Sequence, residues 1–90
     1  MQFEWSDKKA VSNLKKHWVS FHEATTVFGD YFSITIPDPL HSHSEDRFII
    51  LGMSNKERLL VVGHTDRGDK KRLISARKAT KAEREQYEKR

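Results

Sequence analysis

Three strand-like segments follow one another in the second half of the chain, at residues 47–53, 58–65 and 71–77. The first two are separated only by Ser54–Glu57, and the third follows a turn at Asp66–Asp69. Connections this short join neighbouring antiparallel strands, because a parallel partner needs a crossover of a dozen residues or more. The sequence therefore predicts an antiparallel meander, and one face of that sheet needs a covering layer.

Helix signals lie on both sides of this meander. Ser6 or Asp7 is placed to cap a first helix over residues 7–18, and Ser20 with Glu23 has the spacing of a capping box for a short second helix that ends near Gly29. A second capping box, Thr80 with Glu83, opens a charged C-terminal helix.

Two further strands are predicted, one at residues 3–5 and one that begins at residue 31. The predicted order is βααββββα. This is an α+β domain with its helices against one face of an antiparallel sheet.

The length and the lack of cysteine limit the chemistry. A chain of 90 residues makes one domain, so residues 1–90 are interpreted as a single module. Without cysteine the chain has no disulfide scaffold, thiolate metal site or cysteine nucleophile. No apolar run approaches the length of a membrane span and the N-terminus has no signal-like region, which predicts a cytoplasmic protein.

The basic residues are unevenly distributed. The net charge is +4, but residues 46–90 carry 13 Lys and Arg against 7 Asp and Glu, whereas residues 1–45 carry 4 against 6. A folded chain with this imbalance presents a positive face that attracts polyanions, unless the charges only form a solvated surface.

Four arginines are candidate phosphate ligands, because guanidinium stays cationic and its donors match phosphate oxygens. They are Arg47, Arg67, Arg72 and Arg77. Arg72 and Arg77 are also catalytic candidates, because guanidinium can stabilise a charged transition state. Strict alternation along the last strand sends Arg72 and Arg77 to opposite faces. The alternative is that these are scattered edge-strand arginines paired with Glu45, Asp46 and Asp69.

Two histidines are candidates for proton transfer, since imidazole titrates near neutral pH. His17 ends the first helix beside Lys16, and His64 follows an apolar strand. Each has an alternative interpretation as an ordinary polar residue at the end of an element. His41 and His43 lie in a polar loop without further spaced ligands, which is a weak metal signal, so we expect neither a metal nor another cofactor.

No motif for nucleoside triphosphate binding, dinucleotide binding, zinc hydrolysis or serine hydrolysis is present in the sequence. Cleavage of RNA by its own 2′-hydroxyl needs only a base, an acid and cations around the phosphate. Histidine, lysine, arginine and tyrosine are sufficient for it.

The chain resembles the BrnT family of bacterial toxins along nearly its whole length. The strings that carry the resemblance are Phe3-Glu4-Trp5, Lys16-His17, Val19-Ser20-Phe21, Leu60-Val61-Val62 and Arg72-Leu73-Ile74-Ser75-Ala76-Arg77. The resemblance implies a RelE-like fold and a type II toxin that acts as a ribonuclease and arrests translation. It also implies a BrnA-like ribbon-helix-helix antitoxin, through which alone the toxin would contact operator DNA.

The resemblance extends to single residues. Arg77 and Tyr87 match family positions. Tyr87 is a candidate for binding RNA, with packing of the last helix on the sheet as its alternative role, and Lys16 is a further candidate cation for RNA. The family usually has glycine after Lys-His, where this chain has Trp18; tryptophan there favours a helix that continues or a strained turn. The alternatives to a metal-independent ribonuclease are a toxin of the same fold that inhibits a protein target and an inactive toxin kept for regulation.

Overall fold

The computed structural model describes residues 1–89, which contain five strands and three helices. In chain order they are β1 (Gln2–Glu4), α1 (Asp7–His17), α2 (Phe21–Thr26), β2 (Ile34–Pro37), β3 (Arg47–Met53), β4 (Leu59–Arg67), β5 (Lys70–Lys78) and α3 (Lys81–Lys89). Short 3₁₀ turns lie at Val27–Gly29 and Pro39–His41. No helix in this range is long and apolar enough to cross a membrane.

The strands form one mixed sheet in the order β1-β5-β4-β3-β2. The meander β3-β4-β5 is antiparallel, as predicted, and β2 adds to it antiparallel to β3. The prediction of a wholly antiparallel sheet is wrong, because β1 pairs with β5 in parallel, with Glu4 opposite Arg72. Turn lengths give the direction only of strands that are adjacent in sequence, and β1 and β5 lie far apart along the chain.

The predicted caps begin all three helices. The Ser6 and Ser20 hydroxyls accept hydrogen bonds from the backbone N–H groups of Lys9 and Glu23, at 3.3 and 3.0 Å. At α3 the bonds are reciprocal, since Thr80 N–H donates to the Glu83 carboxylate at 2.8 Å and Glu83 N–H donates to the Thr80 hydroxyl at 3.2 Å. These bonds satisfy donors that a helix start otherwise leaves unpaired.

The core lies between one face of the sheet and the helices α1 and α2. Its buried side chains come from the α1–α2 segment and from the three central strands: Val19, Phe21, Ala24, Val27, Ile50, Leu60, Val62, Leu73 and Ala76. We call this side of the sheet the covered face.

A β-bulge in β5 changes which residues share a face. The register shifts so that Gly63 pairs with Ser75 and His64 with Leu73, which leaves Ile74 as the extra residue. Leu73 and Ala76 are therefore both buried, although strict alternation separates them. Their neighbours Arg72 and Arg77 consequently lie on the same face, not on opposite faces as the sequence predicted.

The opposite side of the sheet, which we call the open face, carries α3. Glu83 and Gln86 line a small apolar cavity with Ile49, Leu51 and Val61, residues that alternate with the core positions of β3 and β4. The prediction that the helices share one face is therefore wrong for α3. A capping box shows where a helix begins, but the mostly charged sequence of α3 does not show which side of the sheet it covers.

Candidate nucleic-acid interface

A groove of about 360 Å³ crosses the open face of the sheet. Its floor and walls include Arg47, Gly63, Ser75 and Arg77, and His41 lies at its rim. Gly63 leaves room for Ser75 here, because a Cβ at this position would lie 2.8 Å from the Ser75 hydroxyl and would force that hydroxyl to move. Because Gly63 has no side chain, no side chain fills the groove at this position between Arg47 and Arg77.

Arg47 brings a cation to the groove that forms no ion pair with any residue in the range 1–89. Its backbone fixes the loop before β3: its carbonyl accepts from Asp38 N–H at 2.8 Å, and its N–H donates to the Ser42 hydroxyl at 2.9 Å. The Ser42 hydroxyl in turn donates to the Asp38 carbonyl at 2.8 Å. The loop is thereby held beside the Arg47 side chain.

This loop carries an imidazole and carboxylate pair. His41 Nδ1 lies 2.8 Å from Asp38 Oδ2, and the His41 side chain is 65% exposed. A carboxylate on Nδ1 orients the ring and favours the tautomer that leaves Nε2 free to accept a proton. Sequence reasoning missed this pair, because it considered His41 only as a metal ligand; the three-residue spacing Asp38-Pro39-Leu40-His41 was the available signal.

Arg77 enters the same groove but is held by α3. Its Nη1 and Nη2 donate to the two Glu83 carboxylate oxygens at 2.8 and 2.9 Å. The hydrogen bonds raise the pKa of Arg77 and lower the pKa of Glu83 to about 2, so both groups are charged. A phosphate bound by Arg77 therefore either displaces the Glu83 carboxylate or binds Arg77 while the ion pair with Glu83 stays intact.

A second groove lies beside the first and shares Ile74 and Ser75 with it. Its other wall is α1, which contributes Lys9, Lys16 and His17. Asn13 holds α1 in place, since its side-chain amide donates to the Ala76 carbonyl at 2.8 Å and accepts from Ala76 N–H at 3.0 Å. Two of the predicted site residues, Lys16 and His17, thus lie next to the groove that contains Arg77.

His64 lies on the covered face, although it also borders the first groove. Its ring packs against Phe28 and Phe48, with centroids 4.9 and 5.9 Å away. The residue is 2% exposed, and neither ring nitrogen has a hydrogen-bond partner among the described residues. Burial lowers the pKa of His64 to about 4, so the ring is neutral at pH 7.

The remaining candidates lie outside both grooves. Arg72 pairs with Glu4 at 3.0 Å on the β1 edge, and Arg67 lies 3.5 Å from Glu45 beyond the far end of the first groove. Both project from the open face. Thr65 pairs with Arg47 on one side and with Arg72 on the other, so the three side chains share this face. Arg67 follows Thr65 by two residues on the same strand and therefore shares it as well. The Tyr87 hydroxyl donates to Asp30 at 2.6 Å, a contact that fastens α3 across the sheet.

Metal ligands are not grouped in residues 1–89: no three His, Asp or Glu side chains there are arranged to hold an ion. The chemistry available at the two grooves is that of guanidinium, ammonium, imidazole and carboxylate groups.

Comparison with known proteins adds a family and a fold. The model of a family described as the ribonuclease toxin BrnT of type II toxin-antitoxin systems matches residues 5–83. The chain is also similar to the crystal structure of the Brucella abortus ribonuclease toxin BrnT, with 21% identity and a TM-score of 0.70 over 90% of this chain and 99% of that one. No curated protein sequence matches.

Proposed function

Because the chain belongs to the BrnT family of ribonuclease toxins of type II toxin-antitoxin systems, we propose that it is an endoribonuclease that cleaves RNA without a metal ion and thereby inhibits translation. One observation carries the proposal. Two grooves that share Ile74 and Ser75 place arginine, lysine and histidine side chains along one continuous surface.

The RNA backbone lies across Ser75 in this proposal. Arg47 and Arg77 hold phosphates in the first groove, and Lys16 with His17 contacts the next phosphate in the second. Guanidinium presents paired donors to phosphate oxygens and stabilises the charge that develops during transfer. Arg67 and Arg72, which lie on the same face outside the grooves, then serve outlying phosphates.

His41 is assigned as the general base. With Nδ1 on Asp38, its Nε2 takes the proton of the RNA 2′-hydroxyl, whose oxygen attacks the adjacent phosphorus. The 5′-oxygen leaves with a proton from solvent, and the products are a 2′,3′-cyclic phosphate and a 5′-hydroxyl. His17 is the other exposed imidazole along the surface, and the assignment passes to it if His41 is dispensable.

The partner follows from the family. We propose that a BrnA-like antitoxin neutralises the toxin and that operator DNA is bound only through this antitoxin. Acting on RNA that is being translated, the toxin works in the cytoplasm.

The test is cleavage of a labelled RNA by the purified protein, with and without EDTA. We expect cleavage to persist in EDTA and to leave 2′,3′-cyclic phosphate ends. Activity that is lost in EDTA and restored by Mn²⁺ or Zn²⁺ would overturn metal independence. Absence of cleavage, together with growth arrest that tracks a bound protein target, would instead favour the non-enzymatic toxin.

A further inference from the structure

An apolar ridge lies exposed along α1, on the side away from the second groove. Val11, Leu14 and Trp18 are 55%, 49% and 76% exposed. Their spacing of three and four residues aligns them on one side of the helix, whereas Lys9 and Lys16 occupy the side that lines the groove. We call Val11, Leu14 and Trp18 the α1 ridge.

Trp18 is held in a conformation that tryptophan disfavours. It follows the last residue of α1 with φ 59° and ψ 29°, the left-handed geometry in which helices commonly end on glycine. Its carbonyl accepts from Arg58 Nη2 at 3.0 Å, and Arg58 is itself bound by both carboxylate oxygens of the buried Glu23. The structure thus fixes a strained backbone around a side chain that contributes nothing to the core. Backbone strain of this kind clusters at functional sites.

A groove of about 340 Å³ runs beside the α1 ridge, between α1 and α2. Trp5, Ala10 and Phe21 line it together with Val11 and Leu14, and Asp7, at the start of α1, is the acidic side chain in its lining. A ridge with helical spacing next to an apolar groove is a surface on which a partner helix packs.

The charges beside the ridge select the kind of helix. Lys8 and Lys15 lie three residues before and four residues after Val11, on the solvent side of the ridge. Within residues 1–89 neither lysine has an ion-pair partner. Complementary charge therefore requires acidic residues along the edge of the partner helix.

We infer that the α1 ridge is the anchoring site for an amphipathic, acid-flanked helix of the antitoxin. The inference rests on the part of the proposed function that concerns the antitoxin and is independent of the ribonuclease chemistry. Trp18 enters the apolar seam of that helix, and Lys8 with Lys15 pairs with its acidic edge.

The test measures binding of the antitoxin encoded beside the toxin gene, by titration calorimetry, to wild type, Trp18→Gly and Leu14→Ser. Glycine suits the left-handed position, so Trp18→Gly keeps the end of α1 and melts no earlier than wild type. We expect each substitution to weaken binding by tenfold or more, and Lys15→Glu to weaken it mainly at low salt. Tyr31→Ser is the matched control: Tyr31 is an aromatic residue with 92% exposure away from α1, and its loss leaves affinity within twofold.

Wild-type affinity retained in both ridge variants would overturn the inference, as would equal loss in Tyr31→Ser. If the ridge variants keep antitoxin affinity but lose the binding of wild type to vesicles that contain anionic lipid, the ridge is a membrane-binding surface instead. RNA cleavage by the free variants separates this inference from the proposed function, because Trp18→Gly leaves it unchanged. A wild-type toxin that binds the antitoxin but does not cleave RNA refutes only the ribonuclease proposal.

Discussion

The covered and open faces of the sheet use the same strands for different purposes. On the covered face, Leu60, Val62 and Leu73 are at most 1% exposed, and the ring nitrogens of His64 are enclosed there without a hydrogen-bond partner among residues 1–89. On the open face the strands carry four arginines, of which Arg47 and Arg77 line a groove, and α3 covers only part of the sheet. The covered face thus supplies most of the buried core, which leaves the open face able to carry charges that a core excludes.

Truncation of a residue on the covered face is expected to have the largest effect and tests the contrast between the two faces. Leu73→Ala removes a side chain that is 1% exposed, and we expect a loss of about 3 kcal/mol in the free energy of unfolding. Urea denaturation measures it. Ile74→Ala, at the neighbouring bulge residue, is the control and loses clearly less. Equal losses would mean that the bulge does not separate the two faces.

On the open face, His41→Ala is expected to lower kcat/KM for RNA cleavage about 100-fold, the scale of a lost general base. Its melting temperature changes little, because the ring is exposed. His43→Ala is the matched control from the same loop and keeps activity within a few-fold. If His17→Ala has the large effect and His41→Ala does not, the base belongs to the second groove.

The pH dependence of stability tests the burial of His64 on the covered face. Its pKa falls from 6.5 to about 4 on folding because of burial, so the unfolded chain binds the proton first as the pH drops. Stability is full above the unfolded pKa and declines as the pH falls from 6.5 toward 4; the loss at pH 5 is about 2 kcal/mol. Denaturation of wild type and His64→Phe at pH 7.5 and 5 measures it. His64→Phe removes this buried imidazole, so the variant is expected to lose the part of the dependence that His64 causes. An identical decline in both proteins would assign the dependence to other groups.

Arg47 and Arg72 lie in one cross-strand row, and comparison of their variants shows whether RNA binds in the groove or at the sheet edge. Arg47 lines the groove and Arg72 pairs with Glu4 at the sheet edge. We expect Arg47→Ala to lower RNA cleavage by about tenfold, equivalent to about 1.4 kcal/mol of transition-state binding, and Arg72→Ala by less than threefold. Salt titration of RNA binding checks that both losses are electrostatic. A larger loss in Arg72→Ala would move the site toward β1.

The smallest effect has the opposite sign. Trp18→Gly relieves the left-handed tryptophan on the helix layer, and we expect it to stabilise the fold by about 1 kcal/mol. Thermal and urea unfolding measure the change, with Leu14→Ser, which relieves no strain, as the comparison. A destabilised Trp18→Gly would show that Trp18 packs against the helix layer and is not strained for another purpose.

Local patterns predicted much of the fold. Capping spacings at Ser6, Ser20 and Thr80 located the helix starts because a cap depends on residues three apart. The box of Ser20 and Glu23 formed only half its bonds, since the Glu23 carboxylate is instead bonded by Arg58 and, at 2.7 Å, by Ser54. A contact between residues more than thirty positions apart has no local signal.

The candidate site was less predictable for the same reason. The arginines were identified by chemistry alone, but the bulge that gives Arg72 and Arg77 a common face depends on the pairing of Gly63 with Ser75 across strands. Likewise His41 gained significance only when the loop from Asp38 to Ser42 folded against Arg47.

Asn13 has a consequence for how copies of the protein behave in a crowded solution. β1 pairs with Lys70–Arg72, and beyond this pairing no strand within residues 1–89 lies on that side of β5. The Asn13 amide bonds both the N–H and the C=O of Ala76 and thereby occupies the position of a missing strand. An unpaired strand edge is a template for another molecule's strand and hence for aggregation. A single amide on a helix thus protects this edge of β5 from edge-to-edge association, and Asn13→Ala is a substitution from which we expect precipitation on storage.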